Sequence, residues 1–137
     1  MSEAANKDVV RRFNVEVIER GDRAAFDALM APDFVNRSAP AGTPSGPEGM
    51  WSTFETLLRP AISNLQVQIH DQVAEGDKVT TRKTVSGVHT GRLLDVEATG
   101  RPVTIEVIDI VRLENGRYVE HWGVNTLPSV VASLRRG

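Results

Sequence analysis

Asp109 and His121 flank an Asn115-Gly116 turn, and they are the residues whose types and spacing most plainly offer chemistry. A carboxylate and an imidazole in one dry pocket can work as base and acid, because burial and partner charge bring their pKa values toward neutrality. Whether the two meet depends on the turn. A three-residue Glu114-Asn115-Gly116 loop with Gly116 left-handed pairs Leu113 with Arg117, and so sets Asp109 opposite His121. A two-residue Asn115-Gly116 loop pairs Glu114 with Arg117 and sets Asp109 opposite Trp122. We favour the longer loop. Asp109 and His121 are then the candidate catalytic residues, with a purely structural hydrogen-bonded pair as the simpler reading.

Four further residues are candidates for binding a substrate. His89 lies in Gly87-Val88-His89-Thr90-Gly91, where the glycines allow close backbone approach at a strand end; orienting that turn is its simpler role. Arg82 offers fixed guanidinium donors for an anionic or enol oxygen, against the plainer alternative of a salt bridge. Trp51 and Trp122 each combine a large apolar body with one donor; Trp51 suits a pocket wall, whereas Trp122 is expected in the core. Asn36, at the end of a first short strand, could donate to a substrate carbonyl. His70, His89 and His121 sit on different predicted strands without the short helical spacing of a zinc pair, so no metal is expected. Gly42-Thr43-Pro44-Ser45-Gly46 lacks the lysine and the strand-to-helix frame of a phosphate loop.

The elements that must hold these residues are legible in the periodicity. Val9, Val10, Phe13, Val17 and Ile18 recur at three- and four-residue spacings and predict a helix from Asn6 to Arg20, capped by Gly21. Asp22 caps a second helix that turns Phe26, Leu29 and Met30 inward and stops at Pro32. Asp33 to Val35 forms a short strand, and the prolines and glycines of 38–47 make a loop at the rim of a pocket. Met50, Trp51, Phe54, Leu57 and Leu58 predict a third helix from Glu48 to Arg59, ended by Pro60.

Beyond Ser63 the period drops to two. Leu65, Val67 and Ile69 alternate with polar residues, Glu75-Gly76-Asp77 turns the chain, and strands follow at Val79 to Thr90, Val103 to Leu113 and Tyr118 to Thr126. Three N-terminal helices packed on a strongly curved antiparallel sheet make an α+β fold with a cone-shaped cavity. On the third of these strands Val103, Ile105 and Val107 face one way, and Ile108 and Ile110 the other, so the outer face is suited to a partner's sheet.

Residues 1–137 form one domain, since no repeat, linker or low-complexity block divides them. Sixteen basic and eighteen acidic residues leave a formal charge of -2, which excludes a basic nucleic-acid footprint. Without cysteine there is no disulfide, thiolate nucleophile or thiolate metal site. Neither a signal peptide nor an apolar run of roughly 20 residues is present, so a cytoplasmic protein with no membrane partner is expected.

Three ordered motifs resemble one family. They are Gly76-Asp77-Lys78-Val79 with Arg82 and Gly87-Val88-His89-Thr90-Gly91; Ala98-Thr99-Gly100-Arg101; and Arg112-Leu113-Glu114-Asn115-Gly116-Arg117-Tyr118-Val119-Glu120-His121-Trp122. The chain resembles the SnoaL-like polyketide cyclase, or ester cyclase, family from about Asn6 to Leu127. That resemblance implies the nuclear-transport-factor-2-like cone, a homodimer through the sheet face, no metal or organic cofactor, and an apolar or aromatic carbonyl-bearing small molecule as substrate. It also implies proton abstraction next to a carbonyl followed by intramolecular aldol cyclisation or isomerisation. An acid that members tend to carry after the Glu-His-Trp motif is replaced here by Gly123 and Thr126, and a histidine expected near Asn36-Arg37 is missing. A non-catalytic binding protein, or an epoxide hydrolase or hydroxylase on the same fold, is the alternative.

Overall fold

The computed structural model describes residues 2–136. Helix α1 (Glu3–Arg12) starts where the Ser2 hydroxyl accepts from the Ala5 amide at 3.1 Å, and it continues as a wider π-helical stretch over Phe13–Glu19. Gly21, at φ 71°, closes it in the left-handed region. Arg59 completes that end: its guanidinium donates to the carbonyls of Val17, Ile18 and Glu19 at 3.0, 2.9 and 3.1 Å. Asp22 caps α2 (Arg23–Leu29) through the Ala25 amide.

Contrary to the sequence reading, Met30 is not the last turn of α2 and Pro32 does not stop it. Met30 already opens β1 (Met30–Asn36), and Pro32 lies exposed inside that strand. An edge strand tolerates a proline because one side of it needs no ladder donor. The loop to residue 46 leads into α3 (Pro47–Ser52), which runs on as a π-helical stretch, Thr53–Leu58. The long strands are β2 (Ile62–Glu75), β3 (Lys78–His89), β4 (Pro102–Glu114) and β5 (Arg117–Asn125), and the chain then forms α4 (Leu127–Arg135).

The sheet order is β1-β5-β4-β3-β2, curved and unclosed. Three helices on an antiparallel sheet therefore need two amendments. The pair β1–β5 is parallel, and α4 is a fourth helix whose Val131 and Leu134 are buried. Bulges interrupt the ladders in β2, at Arg112/Leu113 and in β1, and extra residues of this kind bend and twist a sheet. Val10, Phe13 and Val17 pack on Val79, Val85, Val103, Ile105, Val111 and Tyr118 to form the core against one face of the sheet. Tyr118 stacks on Phe13 with ring centroids 4.2 Å apart. On the opposite face Ile108, Ile110 and Val124 remain exposed.

Candidate active site

Both registers considered for the last hairpin prove incomplete. Asn115 and Gly116 have φ of 51° and 75°, so the tight two-residue loop forms and Glu114 pairs with Arg117. The favoured three-residue loop is thus overturned. Yet Asp109 does not fall opposite Trp122 either. An extra residue, Val119, enters β5 between the pairs Leu113–Tyr118 and Arg112–Glu120, and it moves Asp109 opposite Gly123.

That bulge restores the pair by another route. His121 and Gly123 share the inner face of β5, and His121 becomes the diagonal neighbour of Asp109, a separation of about 7–8 Å between Cα atoms that a ring can span. His121 Nε2 lies 3.3 Å from Asp109 Oδ2. Gly123 makes room for the ring: a Cβ there would stand 3.0 Å from His121 Cε1, 3.2 Å from Nε2 and 3.3 Å from Asp109 Cβ. The missing side chain at Gly123 is the space that the imidazole crosses.

The other ring nitrogen is held by Asn36, which pairs with His121 across the β1–β5 ladder. Asn36 Oδ1 accepts from the Ser38 backbone amide at 3.1 Å and stands 2.9 Å from His121 Nδ1. Because the Ser38 amide can only donate, the Asn36 oxygen points this way and Nδ1 carries the hydrogen. Nε2 is therefore the ring nitrogen that faces the carboxylate, and a proton taken up there would lie between the two.

Behind the pair stands a lysine that sequence reasoning missed. Lys83 and Asp109 expose only 6% and 7% of their side chains, with Nζ 3.5 Å from Oδ2. Lys83 also donates to Asn14 Oδ1 at 2.6 Å, and Asn14 Nδ2 donates to the Val10 carbonyl at 2.8 Å. The signal was present: Val79, Thr81, Lys83 and Val85 share one face of a strand, and a lysine within a buried stripe needs a partner there. Burial pushes the Asp109 carboxyl up, but Lys83 and His121 together hold it below the ordinary value. Tyr118, buried beside them, is driven well above its usual value by burial and then by the Asp109 charge, so it remains a neutral phenol. Asp109 Oδ1 is buried without a hydrogen-bond partner.

The remaining candidates are not gathered at this pair. Arg82 lies on the outer face, opposite Ile108, and binds Asp71 at 2.7 Å. His89 is fully buried near the far end of β3, where Nδ1 accepts from the Thr99 amide and lies 2.9 Å from the Thr99 hydroxyl. Trp51 packs on Phe26 under the Arg23 guanidinium, with ring centroids 5.2 Å apart. Trp122, expected in the core, is instead half-buried on the outer face opposite Ile110, with Lys78 Nζ 5.6 Å above its ring. The bulge at Val119 sends His121 inward and its neighbour outward.

Two clefts of about 310 Å³ lie away from the pair. One borders Asn6, Asp77 and Asn115; the other lies on the sheet between His70, Arg82, Ile108 and Val124. Among the described residues no cluster of three His, Cys, Asp or Glu side chains could hold a metal. No helix among them is long and apolar enough to cross a membrane.

A curved, unclosed sheet with helices on one face, and a carboxylate–imidazole pair on two adjacent inner strands, defines a small α+β domain of the nuclear-transport-factor-2-like class. A profile of the SnoaL-like polyketide cyclase family matches residues 8–132, and the chain belongs to that family. Among solved structures, AclR from Streptomyces galilaeus, a proposed hydroxylase, is 27% identical with a TM-score of 0.85 over 99% of this chain and 84% of its own. IdmH from Streptomyces antibioticus, a proposed polyketide cyclase, is 28% identical with a TM-score of 0.79 over 95% and 98%. TsrD from Streptomyces laurentii is 25% identical with a TM-score of 0.84 over 98% and 96%. No curated protein matches the chain.

Proposed function

We propose that this protein is a cofactor-independent cyclase or isomerase acting on an apolar or aromatic, carbonyl-bearing small molecule. The observation that supports this reading best is the His121–Asp109 contact with Nδ1 fixed by Asn36. His121 exposes 17% of its side chain against 7% for Asp109, so the imidazole is the member that meets substrate and the carboxylate is its charge partner. With Nδ1–H on Asn36, the neutral ring offers its Nε2 lone pair, and the long contact to Asp109 can open to a substrate. Nε2 takes a proton from the carbon next to a carbonyl. Asp109 stabilises the imidazolium formed, the enolate carbon attacks a second carbonyl, and the new alkoxide oxygen takes the proton back from Nε2.

Turnover of family-type polyketide substrates by the wild type, Asp109→Asn and His121→Ala tests the assignment. Loss by two orders of magnitude or so is expected for His121→Ala, in line with acid–base catalysis. Turnover unchanged in both variants would overturn it. Among the described residues the ion-pair partners of Asp109 are Lys83 and His121, neither of them a carboxylate, whereas paired-acid activation of water on an epoxide needs a second acid. Gly123 favours one rival, a binding protein without turnover; saturable ligand binding by a wild type that converts nothing would establish it.

The outer face is where a second copy would dock. Val73, Thr80, Ile110 and Trp122 follow one another across the sheet, with Ile108 and Val124 in the neighbouring row. Ile110→Lys should lower the sedimenting mass from dimer to monomer; a wild type that already sediments as a monomer would remove this proposal.

A further inference from the structure

We propose that Lys83 is a positioning residue that fixes Asp109 as a buried anion, so that a proton taken up in this site is held by His121. This rests on the acid–base reading of the pair, but it concerns the charge state of the free protein and can be tested without a substrate.

The geometry is that of a line of polar groups crossing the core. Asp109 stands on β4, the middle strand, with Thr81 and Gly123 directly opposite on its two neighbours. Thr81 is fully buried and Gly123 has no side chain, and neither makes a hydrogen bond to the carboxylate. The two diagonal neighbours approach it instead: Lys83 from β3 at 3.5 Å and His121 from β5 at 3.3 Å, both to Oδ2. Lys83 is aimed by Asn14, which is itself fixed to the Val10 carbonyl within the helix. The groups facing the carboxylate are thus Asn14 and Lys83 on one side, with His121 and the neutral Tyr118 on the other.

An isolated carboxylate this deep would take up a proton rather than stay charged, because desolvation costs several kcal/mol or more. A neutral Asp109 could not stabilise an imidazolium, and the pair would lose its driving force for taking a proton from carbon. One ammonium with a short reach, held by a side-chain amide instead of by solvent, prevents this. The Lys83 side chain is 6% exposed and its ammonium is engaged by Asn14 and Asp109, so it acts through Asp109. Oδ2 is engaged on both sides while Oδ1 has no partner, which leaves one carboxylate oxygen free to receive a donor as the ring moves.

The test is an NMR titration of the free protein, following the Asp109 carboxyl carbon and the His121 ring nitrogens. In the wild type Asp109 should titrate below the ordinary carboxylate value. In Lys83→Met the Asp109 midpoint should move above that value, and Lys83→Arg should return it toward the wild type by restoring the charge. Thermal melts identify variants that do not fold. Should Lys83→Met be among these, the wild-type Lys83 Cε resonance supplies a measurement without any substitution, and it should step at the pH at which Asp109 titrates. An Asp109 midpoint that stays put in Lys83→Met, or a Lys83 resonance silent through the Asp109 titration, overturns the inference. A shift as described, in a protein whose His121→Ala variant retains full turnover, would uphold the inference and reject the cyclase reading.

Discussion

Adding one methyl group at Gly123 isolates the contact on which the site depends. Gly123 has no left-handed φ, so a strand alanine is sterically allowed by its backbone, and Gly→Ala in such a place should stabilise by roughly 0.4–1 kcal/mol through the unfolded chain. Packing opposes this. The new Cβ would meet His121 Cε1 at 3.0 Å and Nε2 at 3.2 Å, closer than carbon atoms pack at their optimum of about 3.5–4.0 Å. Overpacking of a filled site costs about 1–3 kcal/mol, so Gly123→Ala should destabilise by about 1 kcal/mol net. In a His121→Ala background the ring is gone and, of the three nearest atoms, the Asp109 Cβ at 3.3 Å remains, so the same substitution should be neutral or stabilising. The coupling between the two sites should then be about 1–2 kcal/mol. Urea denaturation of the four proteins at one fixed concentration measures it through midpoints at constant slope. An equal loss in both backgrounds would show that Gly123 does not make room for the imidazole.

Three further outcomes follow from other contacts. Asp109→Asn leaves the Lys83 ammonium without its anion in a dry interior and should cost about 3–5 kcal/mol at neutral pH. The Asp109 carboxyl is depressed in the folded state, so its stabilisation is present above the unfolded value near 3.8 and is lost as pH falls through the folded one. Melts between pH 6 and pH 2 should accordingly fall less steeply for Asp109→Asn than for the wild type; parallel acid limbs would contradict this. Arg59→Met removes three bonds to the carbonyls that end the first helix and should cost about 2–3 kcal/mol, with faster hydrogen exchange confined to Val17–Gly21 as the local signature. Gly116→Ala forces a side chain into φ 75° and should lose about 1 kcal/mol in urea, whereas Asn115→Gly should be close to neutral.

The α+β architecture was legible because helical and strand periods are local. Val9 to Ile18 show the first, Leu65 to Ile69 the second, and the switch near Ser63 separates helices from sheet. What periodicity did not contain was partnership. Asp33 to Val35 reads as a short strand, but its parallel pairing with the last strand, which brings Asn36 to His121, is a contact between residues 85 positions apart. The C-terminal helix went unread because Pro128 and Ser129 interrupt a short apolar stretch, and Pro at the first turn is a helix start that only its packing confirms.

Sequence alone determined the family, the cast of polar residues and the presence of an Asn-Gly hairpin between Asp109 and His121. Tertiary structure decided which of those residues meet. A two-residue turn by itself would have sent the carboxylate toward Trp122, and one extra residue at Val119 put it beside the imidazole instead. The same curvature left Arg82, Trp51 and His89 outside the site and drew in Lys83 and Asn14, which no spacing rule had singled out. The physical reason is that side chains alternate between faces every residue, so a single bulge exchanges inside for outside. Its position is set by how a strand bends over the core, and that is a property of the packed whole.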